Sequence, residues 1–221
     1  SGSQVTTLPL EGEDGPPAPY DLRGVASDRA GAWYITAKES LLHVSAAGRV
    51  RSVATREGDS SLFRGVALSQ DGSALFVADF KKHEIRRVEV ATGTVTTLAG
   101  SGTVGSANGV GGAAEFNFPC GMAISPDGSA LFVADNRGRK IRRVGVATGE
   151  VTTIAGSGET GNADGVGEAA EFKDPAGITI SPDGSALFVA DFGNHKIRRV
   201  EVATGAVTTV AGSSTKGSAD G

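Results

Sequence analysis

The chain has 221 residues, a formal net charge of −4, 33 glycines and 21% charged residues. This mild acidity excludes a general electrostatic attraction to nucleic acid or to anionic membranes. One cysteine, Cys120, excludes an internal disulfide, and no apolar run approaches the roughly 18 residues of a transmembrane helix. We therefore expect a turn-rich globular protein with no membrane partner, and the sequence leaves its localisation unknown.

The sequence repeats itself, and the repeat predicts the architecture. Two adjacent stretches are identical at about 39 of 56 aligned positions, and two more diverged copies precede them. Repeats of this kind indicate one supersecondary unit per copy, stacked on its neighbours to build a shared core. We therefore interpret residues 1–221 as one domain, with copies at 5–49, 50–94, 95–150 and 151–206 and the start of a further copy at 207–221.

Within each copy the apolar runs are short, rich in β-branched residues and bounded by turn residues, which predicts strands. The Ser-Pro-Asp-Gly-Ser segment between the first two runs is a typical chain-reversing turn. In the fourth copy the predicted strands are residues 177–180, 186–190, 196–202 and 207–210. Four antiparallel strands per repeat predict an all-β fold, a β-propeller of four-stranded blades.

The residues from Asp191 to Arg198, with the upstream Pro-Xaa-Gly and SPDG segments, resemble the NHL repeat. The resemblance covers nearly the whole chain and is specific in copies two to four. Copy three departs from it at the triplet that gives the NHL repeat its name, where it has Arg137-Gly138-Arg139. Copy two has Lys81-Lys82-His83 at the same positions. Copy one has Ala37 where the other copies have an aspartate. NHL propellers usually have six blades, so the resemblance implies that the four visible blades are part of a six-bladed propeller.

The two ends of the chain fit that expectation. The fourth-strand motif occurs five times, at Val5, Val50, Val95, Val151 and Val207, whereas the other strand motifs occur four times. A closed ring needs equal numbers, so the surplus strand at residues 5–8 is interpreted as the outer strand of a preceding blade. We expect part of a longer propeller, or open blade edges that pair with another copy. A closed four-bladed ring is the alternative.

Strand direction predicts two loop faces. The SPDG and ATG turns share one face and are nearly identical between copies, which is typical of structural turns. The opposite face, here named the variable face, carries the turns after Asp79, Asp135 and Asp191, where the copies differ most. The candidate binding residues are therefore Phe80, Lys81, Lys82, His83, Asn136, Arg137, Arg139, Phe192, Asn194 and His195.

The three repeated aspartates, Asp79, Asp135 and Asp191, could hold a metal around a channel. We favour a structural role in which each short side chain accepts hydrogen bonds from turn amides of its own blade. The histidines and Cys120 show no spacing that assembles a metal centre or a nucleophile with its base. The sequence therefore predicts no catalytic residue, no metal ligand and no cofactor.

Each of copies two to four also carries an Arg-Arg pair, at residues 86–87, 142–143 and 198–199. Because side chains alternate along a strand, one member should pack between blades or pair with a carboxylate: Glu89, Glu201 or the repeated aspartate.

Three functions remain open. We favour a non-catalytic interaction scaffold that binds a protein or peptide through the variable face, as the NHL resemblance implies. A metal-using propeller lyase or hydrolase is the first alternative. An RNA-binding NHL domain is the second, which the net acidity and the lack of exposed aromatic platforms disfavour.

Overall fold

The computed structural model describes residues 11–12, 22–28, 30–37, 40–55 and 61–217. The surplus strand predicted at residues 5–8 and the last four residues lie outside them. The described residues form strands and three single-turn 3-10 helices. No helix in this part of the chain is long and apolar enough to cross a membrane.

The strands assemble into four sheets, named blades 1 to 4 in chain order. Blade 1 contains β1 (Glu11–Gly12), β2 (Leu22–Ser27), β3 (Trp33–Ala37), β4 (Ser40–Val44) and β5 (Arg49–Thr55). Blade 2 contains β6 (Phe63–Leu68), β7 (Ala74–Asp79), β8 (Glu84–Glu89) and β9 (Val95–Ala99). Blade 3 contains β10 (Gly109–Val110), β11 (Pro119–Ile124), β12 (Ala130–Asp135), β13 (Lys140–Gly145) and β14 (Glu150–Ala155). Blade 4 contains β15 (Gly165–Val166), β16 (Pro175–Ile180), β17 (Ala186–Asp191), β18 (Lys196–Glu201) and β19 (Ala206–Ala211).

Each blade is an antiparallel meander of four strands, as predicted from the sequence. Among the described residues, three blades carry an additional two-residue strand at the outer edge. In blades 3 and 4 this strand comes from the Gly-rich link and pairs antiparallel with β14 or β19, whereas β1 pairs parallel with β5. The link therefore continues the hydrogen-bond ladder of the outermost long strand, which covers an edge that would otherwise be open.

The second strand of blades 2 to 4 has one sequence, ALFVAD, which is apolar along five consecutive residues instead of alternating. A continuous apolar run is typical of a strand that is covered on both faces. All six residues are buried in β7 and in β12. These strands therefore lie in the middle of a stack of blades.

The core consists of three apolar clusters, one at each junction between consecutive blades. Phe76 of blade 2 packs with Leu131 of blade 3, and Phe132 of blade 3 packs with Leu187 of blade 4. The innermost strands also contact each other in order, β2 with β6, β6 with β11 and β11 with β16. The chain therefore builds a propeller arc around a channel lined by these four strands.

The outer face of blade 4 differs from the equivalent face of blade 3. Ile141 in β13 has no exposed surface because blade 4 covers it, whereas its counterpart Ile197 in β18 is 40% exposed. Ala155 is likewise buried, and its counterpart Ala211 is exposed. This exposure favours an open arc over the alternative of a closed four-bladed ring.

Candidate functional site: the variable face and the channel mouth

The turn between the second and third strands has the same backbone in blades 2, 3 and 4. Its last residue, His83, Arg139 or His195, adopts a left-handed conformation with φ of 56°, 53° or 54°. Non-glycine residues rarely adopt this conformation, and histidine is among the residue types enriched there. The turn therefore keeps its geometry while its side chains vary.

The candidate binding residues do not all reach the surface. Lys81, Arg137, Phe192 and His195 are exposed, and Phe80, Lys82, Asn136 and Arg139 are half-buried. His83 and Asn194 are buried, with 7% of their surface exposed. The variable face thus presents cations and one exposed phenylalanine, while two of the candidates lie inside the blades.

The less exposed candidates make structural hydrogen bonds. Asn194 Nδ2 donates to Asp191 Oδ2 at 2.8 Å and to a backbone carbonyl of the link at 2.6 Å. Asn136 Nδ2 donates to the carbonyl of Pro175 at 3.0 Å and so joins blade 3 to blade 4. Arg139 Nη1 donates to the carbonyl of Gly158 at 2.9 Å. We therefore interpret Asn136, Arg139 and Asn194 as residues that hold the face together.

The repeated aspartates of blades 3 and 4 form buried ion pairs with the first arginine of each Arg pair. Arg142 Nη1 lies 3.2 Å from Asp135 Oδ2, and Arg198 Nη1 lies 2.9 Å from Asp191 Oδ2. All four side chains have no exposed surface. In blades 2 and 4 the second arginine of the pair binds a glutamate on the same strand, as Arg199 does with Glu201 at 2.9 Å. The predicted carboxylate partners are therefore confirmed for Arg87, Arg142, Arg198 and Arg199.

Each buried guanidinium also fastens the Gly-rich link to its blade. Arg198 Nη2 donates to the carbonyl of Ala163 and to Asp164 Oδ1, both at 2.8 Å, and Nη1 donates to the carbonyl of Glu171 at 2.9 Å. Arg142 makes the equivalent bonds in blade 3. The second oxygen of each aspartate accepts an amide from the segment that enters the inner strand, such as the Lys173 N–H at 2.8 Å. This amide lies 18 residues upstream of Asp191, so it is not an amide of the turn after it.

Blade 2 has a weaker version of this network. Asp79 Oδ1 accepts the Leu62 amide at 3.2 Å, but Arg86 Nε lies 3.7 Å from Asp79 Oδ2. The guanidinium instead pairs with Glu84 at 3.1 Å and with the hydroxyl of Thr97. The repeated aspartates therefore act in the structure of their own blades, and three carboxylates do not converge on the channel.

Burial changes the proton affinity of two side chains in this region. Desolvation raises the pKa of the Asp135 carboxyl to about 7, although the Asn117 amide and the Arg142 guanidinium act in the opposite direction. Burial lowers the pKa of His83, and the charge of Asp79 opposes that shift. His83 Nδ1 accepts the Phe118 amide at 3.1 Å, which requires an unprotonated nitrogen.

The face opposite the variable face contains the constant turns. In each SPDG-type turn the aspartate, Asp71, Asp127 or Asp183, accepts hydrogen bonds from two nearby serines, and these bonds lower its pKa to about 2. A concavity of about 570 Å³ lies between these turns at one end of the channel. The aspartate of each turn makes its hydrogen bonds within that turn, which agrees with a structural role.

A second concavity, here named the channel mouth, lies at the other end of the channel. It has a volume of about 370 Å³ and is lined by the first residues of β2, β6, β11 and β16. The position before the inner-strand glycine is an arginine in blades 1 and 2, Arg23 and Arg64, but it is Cys120 in blade 3 and Ala176 in blade 4. Arg64 Nη1 lies 3.7 Å from Cys120 Sγ, and its guanidinium carbon lies 3.8 Å from the centroid of the Phe80 ring.

Arg64 and the side chains that hold it in place were not predicted from the sequence. Phe80 packs on Phe118 with ring centroids 4.7 Å apart, and His83 packs on the same ring at 4.5 Å. A signal that could have indicated Arg64 is the position before the inner-strand glycine, which carries an arginine in blades 1 and 2 and a small residue in blades 3 and 4. The contact between Phe80 and Phe118 joins two blades, so no spacing within one repeat predicts it. Among the described residues, no three His, Cys, Asp or Glu side chains are grouped as a metal site.

Comparison with known proteins identifies relatives of about two thirds of the chain. Residues 91–220 match the family model described as lactonase, 7-bladed beta-propeller. The chain is 33% identical to NHL repeat-containing protein 2 of Bos taurus over 154 residues, which is 65% of this chain and 21% of that protein. It is 32% identical to the chloroplastic protein SUPPRESSOR OF QUENCHING 1 of Arabidopsis thaliana over 64% of this chain and 14% of that protein. The chain thus spans about a fifth or less of the length of these relatives.

Solved structures show the same fold at lower identity. An auxiliary nutrient binding protein of Bacteroides thetaiotaomicron aligns with a TM-score of 0.69 and 20% identity, over 84% of this chain and 47% of that one. Virginiamycin B lyase of Staphylococcus aureus aligns with a TM-score of 0.61 and 18% identity, over 88% of this chain and 57% of that one. The chain spans about half of each structure, and at these identities the likeness concerns the fold alone.

Proposed function

The chain belongs to the NHL-repeat β-propeller family, and its residues 91–220 also fit the family of seven-bladed lactonase propellers; from that premise we propose that it is a non-catalytic scaffold that binds a protein or peptide through the variable face. One observation carries the proposal. In the turns of this face, the residues that hold the backbone are repeated from blade to blade, while the exposed positions differ.

The contrast is sharpest in blades 3 and 4. The buried Asp-Arg pair and the left-handed last residue occur in both turns. The exposed side chains differ: Arg137 stands at the tip in blade 3, and Phe192, which is 71% exposed, stands in blade 4. Arginine and phenylalanine are both enriched in protein interfaces. A rigid frame that displays different side chains on each blade suits recognition of an extended partner.

The proposal is tested by selecting binders from a phage library of random twelve-residue peptides. The enriched peptides are then measured against a variant that carries Lys81→Ser, Arg137→Ser and Phe192→Ser. We expect this variant to lose binding, because it removes three exposed side chains of the variable face and, apart from the surface ion pair of Arg137 with Asp174, none of the contacts described above. A matched control, Gln70→Ser with Ser129→Ala, alters the opposite face and should bind like the original chain.

Failure to enrich any peptide, or equal binding by the two variants, would contradict the scaffold. Binding of single-stranded RNA with an affinity that falls steeply with salt would favour the nucleic-acid alternative instead.

A further inference from the structure

Arg64 is supported differently from the buried arginines of the blades. With both terminal nitrogens, Arg142 binds one carboxylate oxygen and three further acceptors, and Arg198 binds two carboxylate oxygens and two backbone carbonyls. Arg64 forms no ion pair within the described part of the chain; its Nε, like those of Arg142 and Arg198, is buried without a hydrogen-bond acceptor there. The contact that its Nη1 makes is with the weakly accepting sulfur of Cys120 at 3.7 Å. Arg64 thus places at the channel mouth a guanidinium that has no carboxylate partner among the described residues.

The guanidinium is also held in a fixed plane. It lies 3.8 Å from the centroid of Phe80, whose ring packs on Phe118, and His83 fixes Phe118 through both its ring and its Nδ1. The backbone carbonyl of Arg64 accepts the Thr36 hydroxyl at 2.5 Å, which ties the start of β6 to blade 1. A guanidinium with a fixed plane loses little entropy when it binds a planar anion through two parallel hydrogen bonds.

We propose that Arg64 anchors a carboxylate of the partner at the channel mouth, so that the scaffold recognises an acidic peptide; this inference rests on the proposed function. The ligand is a peptide segment in which an aspartate or a glutamate is flanked by an aliphatic side chain. The carboxylate binds the guanidinium of Arg64. The aliphatic side chain contacts the apolar part of the mouth, which includes Val25, Met122 and Ile178.

The lining of the mouth favours a peptide over RNA. A base would need a free aromatic ring for stacking, and the face of Phe80 is already covered by Arg64. The apolar residues beside Arg64 suit an aliphatic side chain better than a ribose-phosphate backbone. The neighbouring carboxylate of Asp174 is paired with Arg137 at 3.4 Å, which reduces its repulsion of an anionic ligand.

The test uses the peptides enriched from the same phage library. We expect aspartate or glutamate beside Leu, Ile, Val or Met to be enriched, and the leading peptide is synthesised together with its Asn or Gln counterpart. Arg64→Gln and the amide counterpart of the peptide should each weaken binding about tenfold or more. Arg64→Lys should recover part of the affinity, since it keeps the charge but loses the paired hydrogen bonds. Arg51→Gln removes the same charge from an exposed site on the outer strand β5 and should bind normally.

A second readout follows the Arg64 side chain itself. In a ¹H–¹⁵N spectrum, the Nε–H resonance of Arg64 should shift on addition of the acidic peptide and remain unchanged with the amide peptide. Enriched peptides without acidic residues, or binding that is equal for Arg64→Gln and Arg51→Gln, would overturn this inference. Neither result would contradict the proposal that the chain is a peptide-binding scaffold. The absence of any enriched peptide would overturn both. Arg64-dependent binding of a uridine twelve-mer, without peptide binding, would replace the acidic peptide with nucleic acid.

Discussion

Arg198 and Asp191 form a fully buried ion pair in blade 4, with Nη1 of the arginine 2.9 Å from Oδ2 of the aspartate. The same arginine binds two carbonyls and the Asp164 side chain, so one residue connects the turn of the variable face to the Gly-rich link. The position of the exposed residues on this face therefore depends on a charge that has no contact with solvent.

Replacement of Arg198 by methionine is expected to lower the free energy of unfolding by about 3–5 kcal/mol, because it leaves the Asp191 carboxylate buried without its charge partner. Urea denaturation measures the change. The matched control is Arg199→Met, which removes a partly exposed partner of Glu201 and should cost about 1 kcal/mol or less. Equal losses in the two variants would show that burial of the pair is unimportant.

The raised pKa of Asp135 predicts how stability depends on pH. An unfolded aspartate has a pKa near 4, whereas burial raises that of Asp135 to about 7 in the folded chain. Between these values the folded state binds a proton that the unfolded state releases. The contribution of Asp135 to stability is therefore greatest below pH 4 and is lost as the pH rises to about 7, with a slope of at most about 1.4 kcal/mol per pH unit.

Urea denaturation at four pH values between 4.5 and 7.5 tests this dependence. Asp135→Asn should flatten the slope, because it removes the titrating group. Asp127→Asn is the control, since its carboxyl titrates near pH 2 and is ionised throughout this range. A slope that survives in Asp135→Asn would assign the titration to another group.

Gly121 and Gly177 occupy equivalent positions on inner strands but have different neighbours. A Cβ at Gly121 would lie 2.2 Å from the carbonyl oxygen of Ala176 in the next blade, whereas a Cβ at Gly177 would meet nothing closer than 3.7 Å. Gly121→Ala should therefore destabilise the chain by about 1–3 kcal/mol through overpacking. Gly177→Ala should be close to neutral, and thermal unfolding of both variants distinguishes the two outcomes. A loss in Gly121→Ala no larger than that in Gly177→Ala would contradict this close approach of the inner strands of blades 3 and 4.

The exposed outer face of blade 4 predicts self-association through a blade face. Ile197 is 40% exposed there, and the equivalent Ile141 is completely covered by blade 4. The corresponding open face of blade 1 displays Val25 and Trp33, which are 59% and 45% exposed. We expect the blade 4 face of one copy to pack on the blade 1 face of another, as blades 3 and 4 pack within the chain.

Light scattering over a range of concentrations measures this association. Ile197→Glu should shift the chain towards a monomer of 22.2 kDa, because it places a charge in the centre of the face. Val166→Glu changes an equally apolar exposed residue on the short outer strand β15 and should leave the association unchanged. A monomer at all concentrations in the original chain would contradict the prediction.

Much of the fold could be predicted from the sequence because its determinants are local and repeated. The ALFVAD run indicates a strand covered on both faces, and the SPDG and ATG segments reverse the chain within four or five residues. The seven-residue separation of Asp191 and Arg198 places them on one hairpin, so their pairing could also be predicted. The short strands β10 and β15 were missed because a two-residue pairing with a distant strand leaves no periodic pattern.

The candidate site could be predicted only in part. The sequence placed Lys81, Arg137 and Phe192 on a loop face, and they are exposed. It placed His83 and Asn194 on the same face, but both side chains are buried. Each makes hydrogen bonds with residues at least three positions away along the chain. A polar residue in a turn has the same sequence signature whether it faces solvent or the link behind it.

The sequence by itself determined the strand order, the stacking of blades and the division into constant and variable turns, since these follow from hydrophobic pattern and turn chemistry within one repeat. Only the tertiary structure decided which polar residues are buried and that Arg64, Phe80, Phe118 and His83 meet at the channel mouth. The contacts of Phe118 with Phe80 and His83 join two blades, and their geometry depends on how the blades pack and not on spacing along the chain.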